Sequence, residues 1–487
     1  MSNLSELLPT GGGQNAVDFV ASGTLSSGQT VVLNSDGTVS VVAETSISES
    51  LGVKTNFETA EIDTLAGSYD STNNKIVLAY YDTGNSNYGT AIVGSVSGSS
   101  ISFGTPQVFN TAVVGSISVV YHPASEKMAI FYYDVGNSIY GTGIVGTVSG
   151  TSISFGSKYI FNSANTNSIS SAYDSTNEKI VITYDDNGNS SYGTAIVATI
   201  SGTTISYGSE TVFATSATID TATTFDSTNN KIVITYRDQG NSFRGTAIVG
   251  TVSGTSISFG SAVIYKATRV DYPTIAYDSV ADKIIITYAD NSNSGYGTAI
   301  VGTVSGTSIT FGTEVVYASF DAQYFSIAYD SNANKIVIAY KVSSSSYGEY
   351  VVGQVSGTSI SFGPNQTFAA SNTSLNRVAI YDGAAQKVVI AYKDGSASPS
   401  LIGAAKVLQV AYTSTNYTDF IGITAEAISD TATGAVNVYG GINEAQTGLT
   451  IGSDYYVQDD GSLSTTASSV KVGQAISATT INMMDLT

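Results

Sequence analysis

Residues 117–162, ISVVYHPASEKMAIFYYDVGNSIYGTGIVGTVSGTSISFGSKYIFN, contain four runs with the composition of β-strands. The first run ends at Tyr121, and the others are KMAIFYY, GTGIVGTVS and SISFGSKYIF. Val, Ile, Thr, Tyr and Phe dominate these runs, and turn-forming residues separate them, as is typical of short strands. The link SGTS between the third and fourth runs predicts a tight hairpin. No stretch of the chain shows helical periodicity, so we predict an all-β fold.

The same unit repeats every 52 residues along the chain. An aromatic residue marks each copy, at Tyr69, Tyr121, Tyr173, Phe225, Tyr277, Tyr329 and Tyr381. A lysine follows six positions later, at Lys75, Lys127, Lys179, Lys231, Lys283, Lys335 and Lys387. Four antiparallel strands at a period of about 50 residues are typical of a β-propeller blade. The sequence therefore predicts a seven-bladed β-propeller.

The ends of the repeat array favour a closed ring over the alternative, an open β-solenoid. The last copy stops after its third run, LIGAAKVLQV, without a fourth strand. That strand stands instead before the first copy, as ESLGVKTNFETA, where Phe57 falls 52 positions before Phe109. A solenoid needs capping units at its ends, whereas a propeller must close. We therefore predict that the N-terminal strand completes the last blade and covers its edge.

The segments on either side of the ring predict a second, smaller β-module. We place the propeller at residues 49–411 and a flexible tail at residues 1–13. Residues 14–48 have the pattern of a hairpin with an Asp-Gly turn, and residues 412–487 that of short strands with Gly-rich turns. Neither flank is large enough to form a good core alone, so we expect both to build one domain that carries the propeller as an insertion.

Composition excludes several classes of partner and site. The 487 residues include 18 Lys and Arg against 38 Asp and Glu, a net charge of −20 that disfavours nucleic acid as a partner. Without Cys, no disulfide or thiolate metal site can form. His122 is the single His and is expected to be a solvated turn residue, so His-based metal clusters and triads are excluded. We expect no signal peptide, because the first residues have neither a basic n-region nor an apolar h-region. We expect no membrane span, because no apolar run reaches about 20 residues.

Two acidic motifs recur in turns, and both have a structural interpretation. We interpret the Asp after each repeated aromatic residue as the cap of its turn, with the repeated Lys facing it; the residues are Asp70, Asp174, Asp226, Asp278, Asp330 and Asp382. A D-x-G-N theme opens the loops between the second and third runs at Asp82, Asp134, Asp186, Asp238 and Asp290. We expect no metal and no cofactor, since Asx-turns explain this theme, although calcium binding by the hard oxygen ligands stays open.

The runs expected to line the central channel offer no catalytic acid. They read LAGSY, ISVVY, ISSAY, TATTF, PTIAY, FSIAY and RVAIY, without Asp or Glu. A glycosidase needs two carboxylates about 5–9.5 Å apart, so we expect no carboxylate pair within about 10 Å at the top of the channel. We predict that the protein is not an enzyme.

The connections from the fourth run of one copy to the first run of the next diverge, while the rest of the unit repeats closely. In propellers these connections share one face, here called the top, with the loops between second and third strands. Divergence is expected of a ligand-binding face, and equally of unconstrained loops. Our candidate ligand-binding residues are the polar and aromatic ones of two neighbouring connections, Lys266, Arg269, Asp271, Tyr272, Asp321, Gln323 and Tyr324. Rings that stack on sugars and forked groups that bind hydroxyls suit a glycan.

Three kinds of segment resemble parts of bacteriophage virion proteins. GLTIGSDYYVQDDGSLSTTASSVKVGQAISATTI looks like a module common near the ends of tail fibres and related appendages. FVASGTLSSGQTVVLNSDGTVS resembles the partner segment in such proteins. The repeats, with YDSTNNKIVLAY and GTAIVGTVSGTSISFG, are similar to those of predicted structural proteins of marine phages. The resemblance implies a virion structural protein of the tail-fibre or appendage type and carries over no functional residues.

From this resemblance we expect a non-enzymatic virion protein that displays its propeller to recognise a host receptor or surface glycan. The terminal β-module would contact other virion proteins, and the chain would form a homo-oligomer. The expected location is the virion, and the host cytoplasm during assembly. Two alternatives stay open: a capsid or tail decoration protein without a ligand, and a secreted carbohydrate-binding adhesin.

Overall fold

The computed structural model of the chain describes residues 15–370, 372–396 and 401–484, without the side chains of residues 374–377. Regular structure in these residues is β-strand, apart from short 3-10 turns. The chain divides into two compact units, Glu49–Val410, and Met1–Ser48 with Ala411–Thr487. The tail expected at residues 1–13 lies outside the described residues. No helix in the described ranges is long and apolar enough to cross a membrane.

The strands are numbered in chain order through both units. Before the propeller lie β1 (Ala16–Val20), β2 (Thr30–Leu33), β3 (Val39–Val41) and β4 (Glu44–Ile47). The propeller contains β5 (Ser50–Leu51), β6 (Thr55–Asp70), β7 (Lys75–Asp82), β8 (Tyr88–Ser97), β9 (Ser100–Phe103), β10 (Gln107–Asn110), β11 (Val114–His122), β12 (Lys127–Asp134), β13 (Tyr140–Ser149), β14 (Ser152–Asp174), β15 (Lys179–Asp186), β16 (Tyr192–Ser201), β17 (Thr204–Tyr207), β18 (Thr211–Asp226), β19 (Lys231–Asp238), β20 (Arg244–Ser253), β21 (Ser256–Phe259), β22 (Val263–Asp278), β23 (Lys283–Asp290), β24 (Tyr296–Ser305), β25 (Ser308–Phe311), β26 (Val315–Asp330), β27 (Lys335–Val342), β28 (Gly348–Ser356), β29 (Ser359–Phe362), β30 (Gln366–Ala369), β31 (Thr373–Asp382), β32 (Lys387–Asp394) and β33 (Ile402–Gln409). After it come β34 (Tyr412–Thr415), β35 (Phe420–Thr424), β36 (Thr433–Val438), β37 (Ile442–Asn443), β38 (Asp454–Val457), β39 (Leu463–Ser464), β40 (Lys471–Ala475) and β41 (Ile481–Asn482).

Strand pairings in the described residues of the propeller unit form seven antiparallel sheets. We number them blades 1–7 by their inner strands, which contain the repeated aromatic residues from Tyr69 to Tyr381. In blade 2, β11 pairs with β12, β12 with β13, and β13 with the first part of β14. The second part of β14 is then the inner strand of blade 3. The predicted all-β propeller fold is confirmed.

The second strand of each blade is buried on both faces, because each blade packs between two neighbours. In β12, Met128, Ile130 and Tyr132 belong to the core shared with blade 1. The alternate residues Ala129 and Phe131 belong to the core shared with blade 3. Burying one such apolar side chain contributes about 1.5–3 kcal/mol. This two-sided burial explains why the second runs of the sequence are continuously apolar rather than alternating.

The ring closes through the N-terminal strand, as predicted. In blade 7, β33 pairs with β5 at Leu408 and Leu51, and with β6 at Ala405 and Thr55. Phe57 is buried, and its ring centroid lies 5.4 Å from those of Tyr80 and Phe103 in blade 1. The strand that precedes the first repeat therefore covers the outer edge of the last one.

The Asp residues that follow the repeated aromatic residues cap their turns, as expected. Asp70 Oδ1 accepts hydrogen bonds from the backbone N–H groups of Thr72 (3.1 Å) and Asn73 (3.0 Å), and the other blades repeat the pattern. Lys283 and Lys387 donate to carbonyl oxygens of their turns. The repeated Asp and Lys residues thus have a structural role at the bottom face.

The expectation that His122 is a solvated turn residue is wrong. Its side chain is buried, because the bottom turn of the next blade covers it. The His122 ring packs edge-on against Tyr173, with 4.8 Å between centroids, and Nδ1 accepts from the backbone N–H of Ser125 at 3.2 Å. Burial lowers the pKa of His122 below its ordinary value.

Four of the five D-x-G-N loops are Asx-turns on the top face; in the fifth, Asp238 does not cap its turn and accepts instead from the Ser216 hydroxyl. Asp82 Oδ1 accepts from the backbone N–H groups of Gly84 (2.9 Å) and Asn85 (3.2 Å), and Ser86 ends the turn in the left-handed conformation. The equivalent 3-10 turns are Thr83–Asn85, Val135–Asn137, Asn187–Asn189, Gln239–Asn241 and Asn291–Asn293; others lie at Pro123–Ser125 and Tyr417–Asp419. Among the described residues, no three His, Cys, Asp or Glu side chains are grouped so that they could hold a metal.

The smaller unit is built from both ends of the chain, as predicted. One sheet has the order β1-β36-β35-β2-β3, with Ala16 opposite Asn437 and Thr30 opposite Ile423. Its core combines N-terminal residues such as Val31 with C-terminal residues such as Val436. A second sheet has the order β37-β41-β40-β38-β39, and β4 pairs with β34.

Candidate functional site

The inner strands of all seven blades line a central cavity of about 600 Å³. Most of its lining is apolar or carries a hydroxyl group, as at Leu65, Ile117, Ser171, Thr223, Thr274, Ile327 and Ala379. Only Asp220 brings a charge to this lining among the described residues, and the two tyrosines Tyr272 and Tyr324 join it. The charged and aromatic part of the cavity is therefore confined, among the described residues, to blades 4, 5 and 6.

A β-bulge shapes the upper end of the inner strands. The pairing register shifts there, for example between Asp271 and Thr274. The bulged residues have positive φ and follow one another at 52-residue steps: Thr64 (41°), Ser116 (47°), Ser168 (49°), Asp220 (54°), Tyr272 (53°) and Tyr324 (54°). Non-glycine residues in sparsely populated conformations cost about 1–3 kcal/mol each and collect at functional sites, where bulges re-aim side chains. The sequence did not reveal the bulge, because none of these residues is the Gly that often marks one.

Hydrogen bonds connect the bulge of one blade to that of the next. Ser116 Oγ accepts from the backbone N–H of Ile169 at 2.7 Å, and Ser168 Oγ accepts from that of Asp220 at 3.2 Å. The Asp220 carboxylate in turn accepts from the backbone N–H of Tyr272. Short polar side chains therefore hold the blade 2–5 side of the channel mouth together.

At the next two positions of this series, aromatic rings replace the short polar side chains. The Tyr272 and Tyr324 ring centroids lie 4.3 Å apart, with the planes tilted by 43°. Both side chains are half-buried and line the cavity. Burial, and the neighbouring Tyr324, raise the pKa of Tyr272, so its hydroxyl stays protonated. The pair presents one continuous aromatic surface at the channel mouth.

Arg237, at the top end of β19, connects two inner strands. Its side chain is only 12% exposed, and its Nε lies 3.2 Å from Asp220 Oδ2. Its Nη1 contacts Asp271 Oδ1 in a second ion pair. Arg269 binds the same Asp271 oxygen through Nη2 at 3.1 Å but is 52% exposed. Both guanidinium groups lie against the Phe243 ring, 5.5 Å and 5.1 Å from its centroid for Arg237 and Arg269.

This cluster overturns the expectation that no carboxylate pair lies within about 10 Å at the top of the channel. Asp220 and Asp271 contact one guanidinium and are therefore neighbours. The expectation was wrong because Asp220 stands one position before the five-residue run TATTF, and the bulge brings it into the channel. Paired carboxylates of this kind hold Arg237 in place rather than forming a free acid and base.

Asp185, at the top of β15, is buried beside this cluster. Its Oδ1 accepts from the hydroxyls of Thr218 (2.6 Å) and Thr221 (3.2 Å), both of blade 4. The Ser168 hydroxyl also interacts with this carboxylate, whose Oδ2 is buried. Burial raises the pKa of Asp185 to about 7, against the effect of the hydroxyl groups that donate to it. The group is therefore close to half-protonated at neutral pH.

The structure brings together four of the seven candidate ligand-binding residues, Arg269, Asp271, Tyr272 and Tyr324. Asp321 and Gln323 lie on the neighbouring connection and bind each other, with Gln323 Nε2 3.2 Å from Asp321 Oδ2, outside the cavity lining. Lys266 lies away from the mouth, because its Nζ binds Asp290 (2.7 Å) and Glu314 (2.8 Å) in the cleft between blades 4 and 5.

Four residues of the cluster were not predicted, and the repeat contains a signal for two of them, Arg237 and Asp185. They occupy one repeat position within the second strand, which holds Tyr81 and Tyr133 in blades 1 and 2. The same position holds Ala289 in blade 5 and lysines in blades 6 and 7, so its residue type changes from blade to blade inside a strand. The other two residues, Asp220 and Phe243, have no such signal.

Comparison with known proteins supports the propeller fold and identifies neither a family nor a function. No protein-family model and no curated protein matches the chain. Among solved structures, the BP39L lectin from Burkholderia pseudomallei is similar, with a TM-score of 0.52, 9% identity, and coverage of 69% of this chain and 94% of the lectin. The β-propeller domain of Cps50 (Swd1) from Myceliophteria thermophila matches with a TM-score of 0.49 and 7% identity, over 74% of this chain and 100% of that domain. At this identity, the lectin shows the propeller fold alone.

Proposed function

We propose that the propeller is a non-enzymatic recognition domain that binds a glycan on the surface of a cell at the mouth of its channel. The observation that carries this proposal is the joint placement of the Tyr272–Tyr324 pair and the exposed Arg269. Sugar rings stack on aromatic faces, and guanidinium groups form paired hydrogen bonds with neighbouring oxygens. Without a ligand to bind, two tyrosines would be expected to pack into a core, and an arginine to extend into solvent.

Arg269 has the donors that such a ligand would need. Its Nε and Nη2 donate to Asp271 (3.2 and 3.1 Å), and its other N–H groups have no partner among the described residues. Asp271 fixes the guanidinium on the Phe243 ring, so little side-chain entropy would be lost on binding. A pre-positioned donor beside a half-buried aromatic pair is the arrangement expected of a small, specific sugar site.

The virion role is a second part of the proposal, and its support is the resemblance of the terminal segments and repeats to phage tail proteins. In this proposal the smaller unit attaches the chain to other virion proteins, in a homo-oligomer, and the propeller faces the host. A decoration protein without a ligand, or a secreted adhesin, would share the propeller. Glycan binding separates the first of these alternatives from the proposal, and detection of the chain in purified particles separates the second.

The test is binding of the purified full chain to host cells and to a glycan array. The variant Arg269→Ala/Tyr272→Ala/Tyr324→Ala should lose binding at least ten-fold while keeping the propeller folded. The matched control, Tyr88→Ala/Tyr140→Ala, removes two half-buried tyrosines from the top ends of β8 and β13 in blades 1 and 2 and should bind normally. Unchanged binding by the folded triple variant would contradict the proposed site. No binding by the natural chain to any glycan or host cell would favour the decoration protein.

A further inference from the structure

One residue breaks the repeat inside the core of a blade. Lys406, in β33 of blade 7, pairs with Ile390, just as Ile92 pairs with Leu78 in blade 1. The other six blades have a buried apolar residue at this position: Ile92, Ile144, Ile196, Ile248, Ile300 and Val351. Blade 7 therefore has a lysine where the six equivalent strands have an aliphatic side chain. The Lys406 side chain is half-buried, so its charge is partly removed from water, which costs free energy unless the charge is paired.

Lys406 lines an open cleft of about 320 Å³ between blades 6 and 7, within the range of small-ligand sites, about 300–1,000 Å³. The walls are Lys54, Asp394, Ser396 and the buried rings of Phe368 and Tyr392. The equivalent cleft between blades 1 and 2 has the same carboxylate and lysine, as Asp134 and Lys158. The two clefts thus share one plan, and the second lysine is added only to the cleft of blades 6 and 7.

The carboxylate in the blade 6–7 cleft is already occupied. Asp394 Oδ2 accepts from Lys54 Nζ (2.7 Å) and Ser396 Oγ (2.7 Å), and Oδ1 accepts from the backbone N–H of Ser396 (2.9 Å). Lys406 has no hydrogen bond or ion pair among the described residues. Burial lowers the pKa of Lys406, and the charge of Lys54 lowers it further, while Asp394 opposes both.

A further acidic group, Glu49, is already hydrogen-bonded. Glu49, on the strand that closes blade 7, accepts a hydrogen bond from the Tyr350 hydroxyl at 2.8 Å. Two lysines against one acid give the cleft a positive charge in a protein whose net charge is −20. A negative ligand would complete the charge balance that the chain itself leaves open.

We propose that the cleft between blades 6 and 7 binds an oxyanion, a carboxylate or sulfate group on a small ligand, through Lys406 and Lys54. This site is distinct from the channel mouth and does not depend on the glycan site there. Lys406 supplies the unpaired charge and Lys54 the second one, whereas the Ser396 hydroxyl already donates to Asp394 and holds that carboxylate in place. Charge-assisted hydrogen bonds from an ammonium group to an oxyanion are the strong contacts of such a site.

The test uses thermal unfolding of the full chain with sodium sulfate, sodium glucuronate, neutral glucose, and sodium chloride at matched ionic strength. Sulfate or glucuronate, but neither glucose nor chloride, should raise the melting temperature of the natural chain, because a ligand that binds the folded state stabilises it. The pKa of the Lys406 amine, measured by NMR, should rise when the anion binds, because a nearby negative charge favours the ammonium form.

Two variants locate the effect. Lys406→Ile restores the residue type of the other blades, so it should fold well and weaken anion binding at least ten-fold. Lys158→Gln changes the lysine of the equivalent cleft of blades 1 and 2 and should leave the anion effect intact. The proposal is overturned if sulfate and glucuronate act no better than chloride or glucose on the natural chain. It is equally overturned if the Lys406→Ile chain responds as the natural chain does, or if both variants lose the response together.

Discussion

Asp185 should make the stability of the propeller depend on pH in a direction opposite to that of most carboxylates. Its ordinary pKa is 3.8, and burial raises it to about 7 in the folded chain. Between these two values the folded state holds a proton that the unfolded state has lost. The free energy of unfolding that this group contributes therefore falls as pH rises from about 4 to about 7, and is constant above.

The magnitude follows from the size of this shift. One pKa unit corresponds to about 1.4 kcal/mol, so the ionised form of Asp185 destabilises the folded state by about 4 kcal/mol at alkaline pH. About 3 kcal/mol of this effect should develop between pH 5 and pH 8. Asp185→Asn removes the titration and keeps the shape of the side chain. Its unfolding free energy relative to the natural chain should therefore rise by about 3 kcal/mol across that range.

Equilibrium denaturation of both chains at a series of pH values measures this difference directly, and other titrating groups cancel in it. The carboxyl ¹³C shift of Asp185 reports its pKa independently. Thr218→Val removes the donor 2.6 Å from Asp185 Oδ1 and should raise that pKa further, moving the transition to higher pH. A difference between the Asp185→Asn and natural chains that stays flat from pH 5 to pH 8 would refute the reasoning.

Two further predictions concern the packing between blades. The single His122 should titrate below its ordinary pKa of 6.5. Its contribution to stability should be lost as pH falls below that value, because the unfolded chain then binds the proton first. One-dimensional proton NMR of the imidazole measures this pKa, and a value at or above 6.5 would contradict the burial. Gly52→Ala should cost about 1–3 kcal/mol, because a Cβ would overlap the carbonyl oxygen of Ser99 in the next blade. Gly363→Ala is the matched control at the same repeat position, where the nearest atom, Val352 O, is 3.8 Å away, and equal melting temperatures for the two variants would argue against this packing.

The sequence was sufficient for the fold because the fold depends on features that repeat. The aromatic series from Tyr69 to Tyr381 marks the inner strands, and the displaced strand with Phe57 identifies the closing edge. The aromatic series occurs in seven copies, and the displaced strand aligns with the fourth strand of the other copies at a spacing of 52 residues, so neither pattern can be a chance match. The same reasoning failed for His122, because burial there depends on the turn of the next blade, which no single repeat contains.

The candidate site was only half predictable, because its contacts join copies that are far apart in the sequence. Arg237 belongs to blade 4, yet it contacts Asp271 of blade 5, and both depend on a bulge that has no glycine to mark it. Lys266 was expected near Arg269, but two acids in the inter-blade cleft, Asp290 and Glu314, hold its ammonium group. Side chains that are adjacent in the sequence thus point to different sites.

Departures from the repeat inside its strands are more informative than departures in its loops. A loop can diverge at little cost, because its residues bury little surface. Lys406 stands where six other blades have Ile or Val, and Arg237 where two have Tyr, one Ala and three a charged residue, both within strands that pack against a neighbouring blade. Each exchange places a charged residue at a position where other blades of the same chain fold with an apolar or aromatic residue. Arg237 recovers its cost through two ion pairs within the chain, whereas Lys406 has none among the described residues, and in our proposal a bound anion supplies its partner.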